Sequence, residues 1–367
     1  MIVNVWEFKN GVFEKVEVID GFSSLIWIRR YQSLGECELY LGASLRYMEL
    51  FTRQNLFLTR EGNLKSAMKV VSVELKTSAE SGDYLTVRGQ SAECLLKQRF
   101  IWGQYNIKNS TPSAAVEQLI TENLIEPTRP AGDDPISVDR RALRKMSFVT
   151  KKSTVTTQTV FNAQFYFNNL LETVLGICTE NEIGIRFDFT GTAFECVIYE
   201  GQDLTGTVVF SPAFDNIAET EYSEDYSDFS TMAAVYGEGD GTSKVVRNVD
   251  PDPLSFQGIN RYEIAIDASG VSRTTESGEM DLAEYYSCLE QQGRMQLGRH
   301  KVKRAFSGTV ISTTQYRPGT DYDLGDKVTV QNEYGITGTA QVNEISEVYD
   351  SNGYQIYPTL SDWTLKE

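Results

Sequence analysis

An alternating stretch of sequence near residue 80 decides the fold class of this chain. Residues 69–75 read KVVSVEL and residues 84–89 read YLTVRG, so that apolar and polar side chains largely alternate in both segments. A period of two is typical of strands with one buried face. The intervening residues 78–83 read SAESGD and have the polar, glycine-containing composition of a turn. The sequence therefore predicts two successive strands joined by a turn.

Further short strands surround this pair. Before it, residues 12–19 and 36–41 alternate in the same way. Strands so closely spaced predict a small antiparallel barrel or curled sheet in the first hundred residues. After it, strand patterns occur at residues 184–189, 194–199, 207–210, 232–236, 261–266, 322–330, 338–345 and 354–360. No repeat of 20 to 50 residues is visible, which disfavours solenoids and propellers.

Three helices are predicted in the middle of the chain. Thr111 precedes Pro112 as a capping residue, and apolar side chains then recur at helical spacing until Pro127. A second helix follows Asn169, and a third extends over residues 281–297, with basic residues in its last turns. Residues 127–152 contain three prolines and seven basic residues and predict a long surface loop.

Composition and charge disfavour several function classes. The 367 residues contain 34 Lys and Arg against 51 Asp and Glu, a formal charge of −17, with one His and five Cys. This charge argues against nucleic-acid binding by the surface as a whole, because phosphate affinity comes from clustered basic residues. The widely spaced cysteines predict buried thiols rather than disulfides or a zinc site. We expect no metal, no cofactor, no membrane span and no signal peptide.

Candidate catalytic residues are few. The single His300 lies in the basic segment 299–304, which predicts a solvated helix end. Asp188, between two phenylalanines, is the nearest candidate for a carboxylate hydrolase, but a strand carboxylate on the solvent face explains it better. Residues 237–241 (GEGDG) lack the helix that follows a phosphate loop and predict a hairpin tip. We therefore expect no catalytic residues and no enzymatic activity.

One acidic segment has two open interpretations. Residues 215–240 contain eight acidic residues and no Lys or Arg. Their spacing is not that of a calcium loop. Glu221, Glu224, Asp225 and Asp228 belong either to a solvated acidic face, or to the wall of a channel or a docking face for a basic partner.

A series of short segments resembles one protein family in the same order along the chain. The segments are residues 19–31 (IDGFSSLIWIRRY), 35–39 (GECEL), 85–89 (LTVRG), 95–102 (LLKQRFIW), 210–217 (FSPAFDNI), 234–239 (AVYGEG) and 258–263 (GINRYE). They resemble a tail-protein family of siphophages and prophages, the ReqiPepy-type siphovirus family. This family is similar to the baseplate hub proteins of phage tails and contractile injection systems.

The resemblance implies a structural role in a virion tail or injection-particle baseplate, with synthesis in the bacterial host cytoplasm. It implies a homotrimer that adapts a sixfold tail tube to a threefold spike or tip. The implied partners are the tail tube protein, the spike or tail-tip protein and possibly the tape-measure protein, without sequence-specific binding of nucleic acid. Some related hubs continue into a peptidase or lysozyme domain, which we do not expect here because the sequence ends at Glu367.

The resemblance also implies the fold class, a β-rich α+β protein with two small antiparallel β-barrel-like domains and an inserted helix-containing middle region. The expected divisions are a barrel-like domain at 1–105, a helical and loop insertion at 106–165, and an α+β domain at 166–245 that completes the second barrel-like unit. A strand and helix region at 246–305 and a C-terminal β domain at 306–367 follow.

Trp27, Arg29, Arg30 and Tyr31 are candidate interface residues, because interfaces are enriched in aromatic residues and arginine. The alternative is an ordinary core strand with a basic exposed edge. Two other functions stay open for the whole chain. One is a tail-tip protein that binds a host receptor or carbohydrate, and the other is a cell-wall hydrolase that uses Asp188.

Overall fold

The first 91 residues form a curled sheet around a core of its own. The computed structural model describes residues 1–78, 82–129, 140–152, 155, 157–275, 278–310, 316–335 and 337–365. The first elements are β1 (Val3–Lys9), β2 (Val12–Ile19), β3 (Ser24–Arg30), β4 (Glu36–Gly42), α1 (Leu45–Phe51), β5 (Leu56–Arg60), β6 (Asn63–Ser78) and β7 (Gly82–Ser91). The strands pair antiparallel in the order β2-β1-β5-β6-β7-β4-β3. All seven contribute side chains to one core, so we call this the first barrel-like unit.

An insertion of helices and short strands follows. Its elements are a 3₁₀ helix (Ala92–Gln98), β8 (Gln104–Ser110), α2 (Pro112–Ile120), a π-helical turn (Thr121–Ile125), α3 (Arg140–Arg144), β9 (Val149–Lys152), β10 (Phe161–Tyr166), α4 (Leu170–Glu180), β11 (Gly184–Phe189) and β12 (Phe194–Tyr199). The predicted caps are present, since Thr111 Oγ1 accepts the Ala114 N–H and Asn169 Oδ1 accepts the Leu171 N–H. Helices α2 and α4 share a core with Phe13 and Phe57 of the first unit.

The loop predicted for residues 127–152 is only partly a loop. Its middle, residues 130–139, lies outside the described residues, as do residues 79–81 of the predicted turn. The remainder contains α3 and β9, and β9 pairs parallel with β12. Val149 is buried while the rest of β9 is exposed. The expectation was wrong for β9 because a single apolar side chain does not produce a recognisable strand pattern.

The second half of the chain begins with β13 (Val209–Phe210), a 3₁₀ turn (Pro212–Phe214) and β14 (Ile217–Asp225). A second insertion contains β15 (Met232–Tyr236), β16 (Val246–Val249), β17 (Glu263–Asp267), β18 (Thr274–Thr275), β19 (Gly278–Glu279) and α5 (Leu282–Arg299), with single 3₁₀ turns at Gly241–Ser243 and Gly258–Asn260. The final strands are β20 (Lys303–Val310), β21 (Lys327–Gln331), β22 (Thr337–Asp350) and β23 (Gly353–Leu365). Strands β15 and β16 are antiparallel, so the predicted hairpin at residues 237–241 is confirmed.

A second barrel-like unit is assembled from separated parts of this half. Its strands pair in the order β13-β21-β22-β23-β20-β14 and bury Phe210, Val328, Val342 and other apolar side chains in a common core. The second insertion enters between β14 and β20 and has its own core, in which α5 covers β15 and β16. The protein is thus a strand-rich α+β protein, as expected. Among the described residues, no helix has both the length and the apolar character needed to cross a membrane.

The two barrel-like units share a strand order that the sequence does not reveal. The order β3-β4-β7-β6-β5 in the first unit corresponds to β14-β20-β23-β22-β21 in the second. Each unit has one long hairpin, β6–β7 or β22–β23, with a bulge in its first strand. The first strand continues from Ser72 to Ser78 after its bulge in one hairpin and from Glu344 to Asp350 in the other, which is the same length. The structure therefore contains a duplicated sheet.

Close backbone contact between the first insertion and the second unit generates a testable prediction. A Cβ atom at Gly201 would lie 1.8 Å from the Gly325 carbonyl oxygen, whereas one at Gly206 meets nothing within 4 Å. Gly201→Ala therefore has to separate the two backbones. We expect Gly201→Ala to lower the free energy of unfolding by at least about 1–3 kcal/mol. Urea denaturation measures the change, with Gly206→Ala as the matched control. Equal stability of the two variants would contradict this packing.

Candidate functional site: the unit junction and the open sheet edges

Strand β3 and the residue that follows it carry the four candidate interface residues, and two of them are core residues. Trp27 and Tyr31 are almost completely buried. Trp27 Nε1 donates to Ser66 Oγ at 3.0 Å, and the Tyr31 hydroxyl donates to the Glu182 carbonyl oxygen at 2.7 Å. These two side chains therefore do not reach another molecule while the fold is intact. Their burial agrees with the core-strand alternative, because residues two or four positions apart in extended chain point to the same face.

Arg29 and Arg30 connect the two barrel-like units. Strand β3 pairs antiparallel with β22, with Arg30 opposite Glu344 and Trp27 opposite Glu347. Arg30 Nε donates to Glu344 Oε2 at 2.6 Å, and Arg29 Nη1 donates to Asp323 Oδ1 at 2.8 Å. These arginines do lie at an interface, but it is one between two units of the same chain.

A buried charge network continues this junction. Arg60 Nη2 donates to Glu347 Oε1 at 2.9 Å, and the Tyr354 hydroxyl donates to Glu347 Oε2. The Arg60 guanidinium also lies over the Trp27 ring, 5.0 Å from its centroid. Burial alone would raise the pKa of Glu347, but hydrogen bonds and charge from Arg60 hold this pKa below its ordinary value. The carboxylate is therefore ionised and compensated.

A cleft of about 610 Å³ lies beside the network, where both barrel-like units meet the first insertion. Its wall combines charged and aromatic side chains, among them Arg29, Asp188, Tyr199, Asp323, Glu347 and Tyr354. A hydrolase that uses carboxylates needs such a cleft. The hydrogen-bond partners of the carboxylates therefore decide whether the cleft can support hydrolysis.

Asp188 and Glu93 are the carboxylates of this cleft on the insertion side. Asp188 is buried and accepts a hydrogen bond from Arg186 Nε at 2.8 Å, so the expectation of a solvent-facing strand carboxylate was wrong. The error arose because β11 is covered on both faces, which alternation does not reveal. Glu93 accepts the Phe187 N–H at 2.8 Å, and burial chiefly raises its pKa. Both carboxylates serve as hydrogen-bond acceptors for β11.

The acidic candidates lie on β14 and just after it. Three of the four have basic neighbours: Glu224 accepts from Arg304 Nε at 3.1 Å, Asp225 is opposite Lys303, and Asp228 contacts His300 at 3.0 Å. His300 is the C-cap of α5, which agrees with the predicted helix end. The acidic segment 221–228 is thus paired with the basic segment 299–304, although the two are far apart in the sequence.

Several strands of the continuous sheet have an open edge among the described residues, and β14 and β6 carry exposed apolar side chains at theirs. Within the described residues, β14 pairs only with β20, and the part of β6 after its bulge pairs only with β7. Val73 and Leu75 on β6 are 37% and 45% exposed, and Tyr222 on β14 is 43% exposed. An exposed edge with apolar side chains is a ready template for another strand. The sequence gives no signal for β6 as a site, because its alternation looks like that of any half-buried strand.

A group of four aromatic side chains, of which Phe100, Tyr166 and Phe167 are exposed, has no counterpart among the residues predicted from the sequence. Phe100, Trp102, Tyr166 and Phe167 contact one another, with ring centroids 4.8–6.0 Å apart. Phe167 has a φ of 51°, which is unfavourable for a residue with a side chain. Asn168 Oδ1 accepts the Tyr166 N–H at 2.7 Å and stabilises this turn. The sequence gives no signal for this group, because its two halves are more than sixty positions apart.

Comparison with solved structures places this architecture among phage tail proteins. The chain is similar to the 43 kDa tail protein of prophage MuSo2 from Shewanella oneidensis, with a TM-score of 0.57, 12% identity and 98% of each chain covered. It is also similar to a tail protein from Neisseria meningitidis MC58, with a TM-score of 0.54, 12% identity and coverage of 98% and 96%. At such identities the likeness concerns the fold. A comparison with curated protein sequences finds no match.

The duplicated sheet with its two insertions is thus the fold of a phage tail protein. The sequence profile of one family, described as Siphovirus ReqiPepy6 Gp37-like protein, matches residues 2–360. The chain belongs to this family, and the resemblance noted from the sequence is confirmed. This is a siphovirus tail-protein family, and the fold of the chain is that of the phage tail proteins named above.

The buried network at the junction generates a second prediction. Glu347→Ala leaves the buried Arg60 guanidinium without its main partner, and we expect a loss of about 3–5 kcal/mol in the free energy of unfolding. The matched control is Glu36→Ala, which removes an exposed partner of Arg30, and we expect it to cost at most about 1 kcal/mol. Chemical denaturation of both variants provides the measurement. A loss for Glu347→Ala no larger than that for Glu36→Ala would show that the network does not stabilise the junction.

The same network predicts a pH dependence. Because the pKa of Glu347 is lowered on folding, its contribution is complete above the pKa of the unfolded chain and is lost as the pH falls through the folded value. The stability difference between the wild type and Glu347→Gln should therefore shrink as the pH falls from 7 towards 3. A difference that grows on acidification would contradict this assignment.

Proposed function

We propose that this protein is a structural baseplate or tail hub. Three copies form a closed ring of six barrel-like units, which adapts the sixfold tail tube to the threefold spike or tip of a phage tail or contractile injection system. The proposal is carried by one observation: two of the open edges, those of β14 and β6, correspond in strand order to β3 and β22, which pair inside the chain.

The correspondence supports a ring because the two edges are not equivalent to each other. The β14 edge is equivalent to that of β3, and the β6 edge is equivalent to that of β22. Each copy has one edge of the β3 kind and one of the β22 kind still open among its described residues. Joining the β14 edge of one copy to the β6 edge of the next is a head-to-tail contact, and such contacts generate rings when the rotation closes. Since each chain contributes two units, three copies give six similar positions with threefold symmetry.

In this proposal the tail tube protein contacts the six units and the spike or tail-tip protein contacts the threefold side, with the tape-measure protein as a further partner. The role is non-enzymatic. This is supported by the engagement of Asp188 and Glu93 as acceptors for Arg186 and the Phe187 N–H. The acidic candidates then belong to a subunit contact, which is the docking-face interpretation of the sequence.

A third prediction tests the ring. Light scattering after size-exclusion chromatography should give three times the 41.3 kDa chain mass for the protein alone, or three copies of the chain in its complex with the tube protein. The double variant Val73→Asp and Leu75→Asp should reduce the mass to that of one chain, because assembly would have to bury two carboxylates at the junction. The matched control is Val12→Asp with Val18→Asp on β2, whose side chains are 51% and 45% exposed.

These measurements distinguish a ring from a monomer and from a nonspecific effect of added charge. Circular dichroism establishes that each variant is folded. A wild type that stays monomeric with and without the tube protein would contradict the hub. A control variant that dissociates as completely as the β6 variant would show that added charge, rather than the edge, is responsible.

A second candidate function is supported by the aromatic group of Phe100, half-buried Trp102, Tyr166 and Phe167. Such contiguous apolar surface marks a binding site for a partner. A tail-tip protein that binds a host receptor or carbohydrate would use it for adsorption. In that case the wild type should bind host cells and Trp102→Ala should not. The proposed hub predicts equal, background binding for both.

A further inference from the structure

The intrachain junction defines a register that the contact between copies can repeat. This step rests on the proposed ring and specifies its interface. Strand β3 meets β22 with Trp27 opposite Glu347 and Ile26 opposite Val348. Because the two units have the same strand order, each of these residues has a counterpart on an open edge.

The counterpart of Trp27 is found by following the ladder from the bulge. In the first unit, Gly89 is paired with Val70 directly before the bulge, Gly89 pairs with Cys37, and Cys37 pairs with Trp27. In the second unit the same path leads from Leu360 through Phe306 to Tyr222. Tyr222 therefore corresponds to Trp27, and by the same route Glu221 corresponds to Ile26.

The counterpart of Glu347 is found on the long hairpins. Glu347 lies three residues after Glu344, the first paired residue beyond the bulge, and three residues before the end of β22. Leu75 lies three residues after Ser72 and three before the end of β6. Leu75 therefore corresponds to Glu347 whether the count starts from the bulge or from the turn, and Lys76 corresponds to Val348.

The transferred register brings compatible side chains together. Leu75 of one copy lies opposite Tyr222 of the next, and both side chains are nearly half exposed in the single chain. Aromatic and aliphatic side chains in directly opposed positions stabilise antiparallel strands. On the other face, Lys76 lies opposite Glu221, a pair of opposite charges. A shift of the register by one residue would place Lys76 opposite Tyr222. The side chains of Leu75 and Tyr222 would then lie on opposite faces of the sheet.

We infer that the partner of the open β6 edge is β14 of a second copy, paired antiparallel with Leu75 opposite Tyr222 and Lys76 opposite Glu221. The contact repeats the strand pairing of the intrachain junction but replaces its ionic network by an apolar pair. Each ring then alternates the Trp27–Glu347 pairing with its buried ionic network, within chains, and the Leu75–Tyr222 pairing, between chains.

Cysteine cross-linking tests this register. The variant carrying Leu75→Cys and Tyr222→Cys should form covalent trimers on oxidation, because directly opposed residues approach to the separation that a disulfide requires. The matched control carries Leu75→Cys with Ser223→Cys, whose side chain lies on the other face and should not cross-link. The wild type is the background, since its five cysteines are buried. Reducing and non-reducing gels give the readout.

Each outcome supports or overturns the register. Cross-linking only through position 222 supports it. Cross-linking of Leu75→Cys with Thr220→Cys or Glu224→Cys, instead of Tyr222→Cys, would show that the register is displaced by two residues. This result would overturn the register but not the ring. A trimer by light scattering without any cross-link overturns the pairing of β6 with β14 but leaves the proposed hub intact. A monomeric wild type would contradict both the register and the proposed hub.

Charge exchange is an independent measurement of the same contact. Lys76→Glu and Glu221→Lys should each weaken trimer assembly by about twofold to fivefold per junction, and combining them should restore it. Lys76 also lies 3.4 Å from Glu74 within its own chain, so the single variants are compared with Glu74→Gln. Absence of any restoration in the combined variant would overturn the Lys76–Glu221 pair.

Discussion

The pairing of β3 with β22 is the interaction on which the rest of the structure depends. A strand edge exposes unpaired N–H and C=O groups, which are costly to bury and prone to pair with other chains. Joining the two barrel-like units through this edge satisfies those groups for one strand of each unit. It also brings the first insertion against both units and so creates the cleft between them.

The side chains at this junction are suited to a permanent contact. Ions buried together are tolerated only when their geometry and hydrogen bonds compensate for lost hydration. Glu347 meets this condition through Arg60, Tyr354 and the more distant Arg29. Such a network forms once, when the chain folds. The absence of a side chain at Gly201 permits the close approach to the Gly325 carbonyl, where the first insertion meets the second unit.

The duplicated sheet explains why two groups of candidate residues with opposite charge lie on equivalent strands. Strand β3 carries Arg29 and Arg30, and β14 carries Glu224 and Asp225 at corresponding positions. The arginines are used within the chain, whereas the acidic residues accompany an edge that is open in the single chain. We expect the side chains of the two barrel-like units to differ at these positions. A contact inside a chain and a contact between chains have different requirements for solubility before assembly.

Much of the fold followed from local patterns. Alternation located the hairpin of β6 and β7, strand-like composition located β11, β12 and β15, and capping by Thr111 and Asn169 located two helices, because these signals depend on neighbours in sequence. Pattern failed for β9, which has one buried side chain, and for Asp188, whose strand is covered on both faces.

The sequence by itself determined the strand-rich character, the helical insertions, the acidic charge and, through ordered short segments, membership of a tail-protein family. Tertiary structure alone decided which strands meet and which edges stay open. The physical reason is that strand pairing joins residues hundreds of positions apart, as when Arg30 meets Glu344, and no local pattern specifies such a partner. The duplication was hidden for the same reason, since equivalent strands share hydrogen-bond geometry while their side chains have diverged.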